Sequence, residues 1–200
     1  MLHRFFLLLV VATCGPAYLF GQDFVLEDEA EGIAVYTRGE EDNQLSVRVI
    51  TVVRTDVPTV QRTLDDAANY REWVHRCDGA YIVAGGAADD YVFVSGIDMP
   101  FPFRDKEVVA RVTQELRTNG TLVRTIAGKP EAVAHTGRDR PTVYDGEWII
   151  TPLPNGEVNV QVTVRTDAGA GLPQWLRKEV LTGGPVKTVA NLRRRLEAAK

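Results

Sequence analysis

Cysteine is almost absent from this 200-residue chain, which has only Cys14 and Cys77. Cys14 falls in a leader-like N-terminal segment, so the remaining chain holds one cysteine and no intrachain disulfide is available to it. Packing must then hold the fold together, and Cys77 reads as a small buried hydrophobe rather than a reactive thiol. Histidine is nearly as scarce, at His3, His75 and His135. Neither His75 nor His135 has neighbours at a spacing that builds a nucleophile pair, a metal site or a paired-carboxylate motif. An excess of basic charge is also missing. Lys and Arg number 23 against 27 Asp and Glu, a formal charge of −4, and a mildly acidic chain is a poor nucleic-acid binder. There is no apolar run of about 20 residues, the length a membrane-spanning helix needs. Without repeats, linkers or low-complexity stretches, the chain beyond its leader is read as one domain with a single core.

The leader has recognisable parts. His3 and Arg4 precede an apolar run over residues 5–12, and Gly15 and Pro16 follow. This is the layout of a secretory signal peptide, assigned to residues 1–21, with cleavage before Gln22 and the domain over residues 22–200. No Ala-x-Ala site is present; Leu19 and Gly21 take its place. Export to the periplasm or the extracellular space is the expected consequence. Cys14 after Val11-Ala12-Thr13 offers an alternative, a lipoprotein anchored through Cys14, for which Thr13 is a poor match.

Most of the domain reads as strands. Period-2 patterns mark residues 32–37, 45–53, 80–84, 91–97, 106–116, 121–127, 143–151 and 157–166, with short turns rich in Gly, Asn and Asp between most of them. The cleanest alternation places Val158, Val160, Val162 and Val164 on a dry face and Asn159, Gln161, Thr163 and Arg165 on a wet one. Between the second and third strands, Asp56 or Thr55 caps a helix with Pro58 in its first turn and Val57, Val60 and Leu64 on its apolar stripe. Tyr70 and Trp73 follow as an aromatic plug. A C-terminal helix begins near Pro173, carrying Leu172, Trp175, Leu176 and Val180 and then Val186, Val189, Leu192 and Leu196. Gly183-Gly184-Pro185 is expected to kink or interrupt it. Arg193, Arg194 and Arg195 read as a solvated face. Residues 128–141 form a long aperiodic loop, read either as a lid or cavity rim or as a surface excursion.

Three motifs give the chain a more specific character. Met99-Pro100-Phe101-Pro102-Phe103-Arg104-Asp105 joins a rigid proline turn to an acid-base dipeptide and then to the alternating strand with Val108, Ala110 and Val112. Trp148-x-x-x-Pro152 lies in a later strand. Asp167-x-Gly169-x-x-Leu172-Pro173-x-Trp175-Leu176 marks a strand-to-helix junction. In this order and spacing, over about residues 32–196, the set resembles the START family of lipid-transfer domains.

The resemblance implies an α+β helix-grip fold, an antiparallel sheet wrapped around a long C-terminal helix with an apolar cavity between them. The expected function is binding one lipid or other apolar molecule, to move or sequester it, by a monomer that touches membranes transiently and needs no cofactor, metal or nucleic acid. Cavity candidates are Trp73, Phe93, Arg104, Val108, Ala110, Trp148, Ile150, Val160, Val162, Leu176, Val180 and Val189. Gate candidates are Met99, Phe101 and Phe103 in the proline turn, the 128–141 loop, and Gly183 and Gly184 in the helix. Arg104 is either a headgroup-binding charge or an arginine satisfied at the sheet rim. Two alternatives stay open, since alternation and amphipathicity equally permit a solid core. One is an enzyme on the same scaffold, a cyclase or hydrolase using His75 or His135; the other is a closed-core interaction module.

Overall fold

The computed structural model describes residues 23–40, 42, 44–83 and 86–198. The signal-peptide segment, its cleavage site and Cys14 lie outside the described residues. Among those described, no helix is long and apolar enough to cross a membrane.

Nine strands form one antiparallel sheet: β1 (Val25–Ala30), β2 (Ile33–Gly39), β3 (Leu45–Val53), β4 (Cys77–Ile82), β5 (Asp90–Ile97), β6 (Lys106–Leu116), β7 (Leu122–Gly128), β8 (Tyr144–Leu153) and β9 (Glu157–Thr166). Their order across the sheet is β1-β2-β3-β9-β8-β7-β6-β5-β4. Two consequences follow. The last strand pairs with the third, Val49 opposite Val162, and the link from β3 to β4 must cross β9, β8, β7, β6 and β5 to reach the far edge. That link contains helix α1 (Val57–Asp65) and a 3₁₀ turn at Ala67–Glu72. Asp56 caps α1, its Oδ1 accepting from the Thr59 N–H at 2.8 Å, with Pro58 in the first turn.

The C-terminal helix runs without a break through 25 residues: α2 (Gln174–Lys178), a π-helical turn (Glu179–Gly183) and α3 (Gly184–Ala198). The expected irregularity at Gly183-Gly184-Pro185 takes the form of this π turn, which interrupts the α-helical pattern without ending the helix. The wide π turn removes the strict i→i−4 pattern just where the Pro185 ring would meet the preceding turn and where its missing N–H would leave a gap. The chain therefore keeps its helical course through the proline.

The inner sheet face and the helix meet in one core that includes Val35, Val47, Val49, Val158, Val160, Leu192 and Leu196. β1 was not expected: its six residues are all exposed, so it shows no alternation to read. β4 starts three residues earlier than its pattern suggested. The helix-grip α+β architecture is as expected, with the sheet curved around the C-terminal helix.

Candidate functional site

Closure is incomplete at one end of the core. Between β5–β9, the aromatic plug and the π turn lies a cavity of about 170 Å³. Its walls are mostly apolar. Phe93, Val108, Val112, Ile126, Trp148 and Val162 come from the sheet, Tyr70 and Trp73 from the plug, and Val180, Leu181 and Val189 from the helix. Strand register explains the sheet wall, because Val112 stands opposite Ile126, Arg124 opposite Trp148, and Trp148 opposite Val162. Tyr70 and Trp73 meet edge to face at 5.1 Å, a preferred geometry for packed rings.

One wall carries a buried cation. Arg124 shares the inner face of β7 with Leu122 and Ile126, and its side chain is 4% exposed. Its Nη1 donates to Asp65 Oδ1 at 2.6 Å, and its Nη2 donates to the Tyr91 hydroxyl and, at 3.4 Å, to that of Tyr70. The Tyr70 hydroxyl in turn donates to the Leu64 carbonyl. The charge is thus satisfied at the C-terminal end of α1, as a buried guanidinium requires. Burial pushes both phenols, Tyr70 and Tyr91, above the usual tyrosine range, although the Arg124 charge pulls the other way.

The mouth of the cavity is polar and joins the helix to the segment after the plug. His75 Nε2 lies 3.1 Å from Glu179 Oε1 in the π turn, and the His75 N–H donates to Thr188 Oγ1 at 3.1 Å. Asn191 Nδ2 donates to the Trp73 carbonyl at 2.9 Å, and Arg195 pairs with Glu72. Lys187, bonded to Glu179 at 2.6 Å, and then His75 hold the Glu179 carboxyl below the usual carboxylate range against the opposing effect of burial. His75 therefore does not stand alone, as the sequence suggested. Its ring partner is a carboxylate, and among the described residues no hydroxyl or thiol is hydrogen-bonded to the imidazole ring. His135 lies outside the cavity wall, accepting from the Gly137 N–H. Among the described residues no group of three His, Cys, Asp or Glu side chains is placed to hold a metal ion.

Of the cavity candidates, the structure brings together Trp73, Phe93, Val108, Trp148, Val162, Val180 and Val189. Ala110, Ile150, Val160 and Leu176 are fully buried and do not line this cavity; they sit in the packed core. Arg104 is exposed, because β6 begins only at Lys106 and the residue precedes the strand. Its neighbour Asp105 closes the proline turn by accepting from the Met99 N–H at 3.0 Å. The gate candidates divide similarly. Gly184 lines the cavity and Gly183 lies beside it in the π turn, whereas Met99, Phe101 and Phe103 do not border it. Met99 is buried, Phe103 half-buried, and Phe101, preceding a cis Pro102, is 98% exposed.

The 128–141 loop lies on the other side of the sheet. Glu107 alternates with cavity-lining Val108, so it points outward, and there Arg140 binds it with Nε at 2.9 Å and Nη2 at 2.6 Å. Arg138 adds a two-point pair to Asp78. The loop is a pinned outer cover and is not a cavity rim. Trp175, read as part of an apolar helix face, is 64% exposed.

Arg124, Tyr70, Tyr91 and Glu179 were not among the candidates. Arg124 left a signal, a charge in the dry register of a strand between Leu122 and Ile126. Glu179 left none, since it meets His75 across 104 positions.

Comparison with known proteins places this architecture. No family model matches the sequence. An uncharacterized protein of Pseudomonas aeruginosa is 28% identical over 174 residues, 86% of each chain. Among solved structures, a STAR-related lipid transfer protein fragment from Xanthomonas axonopodis superposes with a TM-score of 0.78 at 22% identity, over 86% of this chain and 98% of that one. The chain has the START helix-grip fold. The lipid transfer and protein localization domain of human StarD13 matches with a TM-score of 0.75 at 13% identity, over 88% and 89% of the two chains. Human StAR-related lipid transfer protein 5 matches with 0.73 at 17%, over 90% and 88%.

Proposed function

We propose that this START-fold chain binds one lipid or other apolar molecule in the cavity under its C-terminal helix and carries or sequesters it. The observation that carries the reading is the cavity itself: a mostly apolar void of about 170 Å³ between the sheet, the aromatic plug and the C-terminal helix. A void costs stability in proportion to its volume, so one retained against the plug and helix argues for an occupant. Neighbours of the same fold are named as lipid-transfer proteins, which supports the same class of ligand. Export through the N-terminal leader, releasing the chain as a monomeric carrier beyond the cytoplasmic membrane, is part of the proposal.

Size sharpens it. The volume is close to that of an engineered apolar cavity that stays dry and takes up benzene, about 150 Å³. The closed form therefore accommodates a short apolar segment, and a longer molecule requires the wall to yield. The π turn with Gly183 and Gly184 is the place for this, because its backbone pattern is already irregular.

Melting across a panel of fatty acids, phospholipids and sterols tests the proposal. A ligand at a hundredfold excess over its dissociation constant stabilises the folded state by about 2.7 kcal/mol. Stabilisation by one apolar class is the expected result; an unchanged transition across the panel favours a closed-core module instead.

A further inference from the structure

Two residues of the cavity wall each carry a buried donor N–H with no hydrogen-bond partner. Trp73 is 2% exposed and lines the cavity, and its indole Nε1–H is buried without a hydrogen-bond partner. Arg76, three residues on, also lines the cavity, and its Nε–H is likewise buried and unpartnered. Leaving a buried donor unsatisfied costs roughly 1–3 kcal/mol, and more for a charged group, so two on one short segment call for a reason. Both groups are donors only, and neither accepts.

Charge points the same way. The Arg76 guanidinium meets the Asp98 carbonyl through Nη1 at 3.2 Å but forms no ion pair among the described residues. The other cavity cation, Arg124, has Asp65 and two phenols, and the one carboxylate at the mouth, Glu179, is already bound by Lys187 and His75. Arg76, half-buried, is thus the positive charge in the wall with no negative partner among the described residues. Its backbone is held in the left-handed region at φ 57°, with its carbonyl accepting from the Asp98 N–H at 2.8 Å, which fixes where the side chain starts.

We infer that the cavity selects an apolar molecule with an anionic acceptor head, a carboxylate, received by the Trp73 Nε1–H and the Arg76 Nε–H as the wall yields to the ligand and uncovers them. This rests on the apolar-ligand reading above and adds the chemistry of the head. A carboxylate supplies acceptor oxygens to both donors and a charge opposite to that of Arg76, so it gains a charge-assisted bond that a hydroxyl cannot match. An ammonium head would set a donor against donors and a like charge beside Arg76.

The test holds the tail constant and changes the head. Octanoate, octanol and octylamine are titrated into the full chain at neutral pH by calorimetry, with the indole N–H resonances followed by NMR. One charge-assisted hydrogen bond corresponds to roughly tenfold or more in affinity. Octanoate should bind at least that much more tightly than octanol, octylamine more weakly than either, and only the carboxylate should shift the Trp73 indole N–H markedly. Trp73→Phe keeps a smaller aromatic ring and removes the donor, and Arg76→Met keeps an apolar stem and removes the charge. Each should erase most of the preference for octanoate while octanol still binds.

Equal affinity for the three heads, or a preference for the amine, overturns the inference while leaving an apolar-binding cavity in place. A carboxylate preference that survives both substitutions overturns the assignment to these residues. If none of the three binds, the apolar-ligand reading fails and this inference with it. Should either variant fold poorly, the head series and the indole resonance in the unmodified chain still decide the matter.

Discussion

The two halves of this sheet are built from the same kind of strand and end differently. Under the outer two-thirds of α3, β2, β3 and the first half of β9 bury Val35, Val47, Val49, Val158 and Val160 against Leu192 and Leu196, each nearly or wholly inaccessible. Under the π turn, β5–β8 and the second half of β9 present Phe93, Val108, Trp148 and Val162, and a void remains. Residues with alternating apolar side chains line both. What differs is the covering element: branched aliphatics of a regular helix on one side, large aromatics and an irregular helical turn on the other. Alternation specifies which face is dry; the shape of the covering side chains decides whether that face is filled.

Breaking the ion pair at the closed end of the cavity should have the largest effect. Asp65→Ala leaves the buried Arg124 charge with only phenols, and removing one partner of a buried pair costs about 3–5 kcal/mol. Asp65 is partly exposed, so the lower end is expected in denaturant unfolding; a change under 1 kcal/mol would mean that water already serves Arg124. In the packed half, Leu192→Ala should cost about 2–5 kcal/mol by opening a new void. In the open half, Val162→Ala merely enlarges an existing one and should cost about 1.5 kcal/mol, the transfer cost of the atoms removed. Equal losses would erase the distinction between the halves.

Filling the void inverts the test. Val108→Phe should stabilise the unliganded protein by about 1 kcal/mol if the space is real, and should destabilise it if the wall is already close-packed. Acidity and alkalinity probe the same half. The phenols of Tyr70 and Tyr91 titrate higher in the fold than the ordinary value of 10.0. The stability from keeping them neutral is complete below pH about 10 and declines as pH rises beyond it. Tyr91→Phe should flatten that decline in melting curves. The Glu179 carboxyl titrates lower than its ordinary value of 4.5. Its contribution is complete above that value and is lost as pH falls through the depressed one, which Glu179→Gln should abolish at a cost of about 1 kcal/mol or less, as for a part-exposed pair.

How far the sequence spoke follows the same division. β3, β6 and β9 have the bounds their alternation predicts, since apolar side chains recur at every second residue along the inner face of each. β1 escaped because an exposed edge strand has no dry face. The plug of Tyr70 and Trp73 was legible from aromatic mass alone, and the covering helix from its apolar stripe. Which stripe residues touch a void was not legible: Val160 and Val162 lie on one face of one strand, yet only Val162 meets the cavity. The motif singles out Arg104 for two readings, of which its exposed place before β6 fits the sheet rim, whereas Arg124 belongs to no motif although the strand register alone marks it as inward. The His75–Glu179 contact and the orphaned Trp73 donor depend on distances between remote elements, which no local pattern encodes.

Native mass spectrometry of the detergent-free protein, alongside its Val108→Phe variant, tests the central claim most directly. A single apolar adduct on the unmodified chain, lost on denaturation and absent from the variant, is the predicted result. Bare protein in both samples, or an adduct equally retained by the variant, would contradict an occupied cavity beneath the π turn.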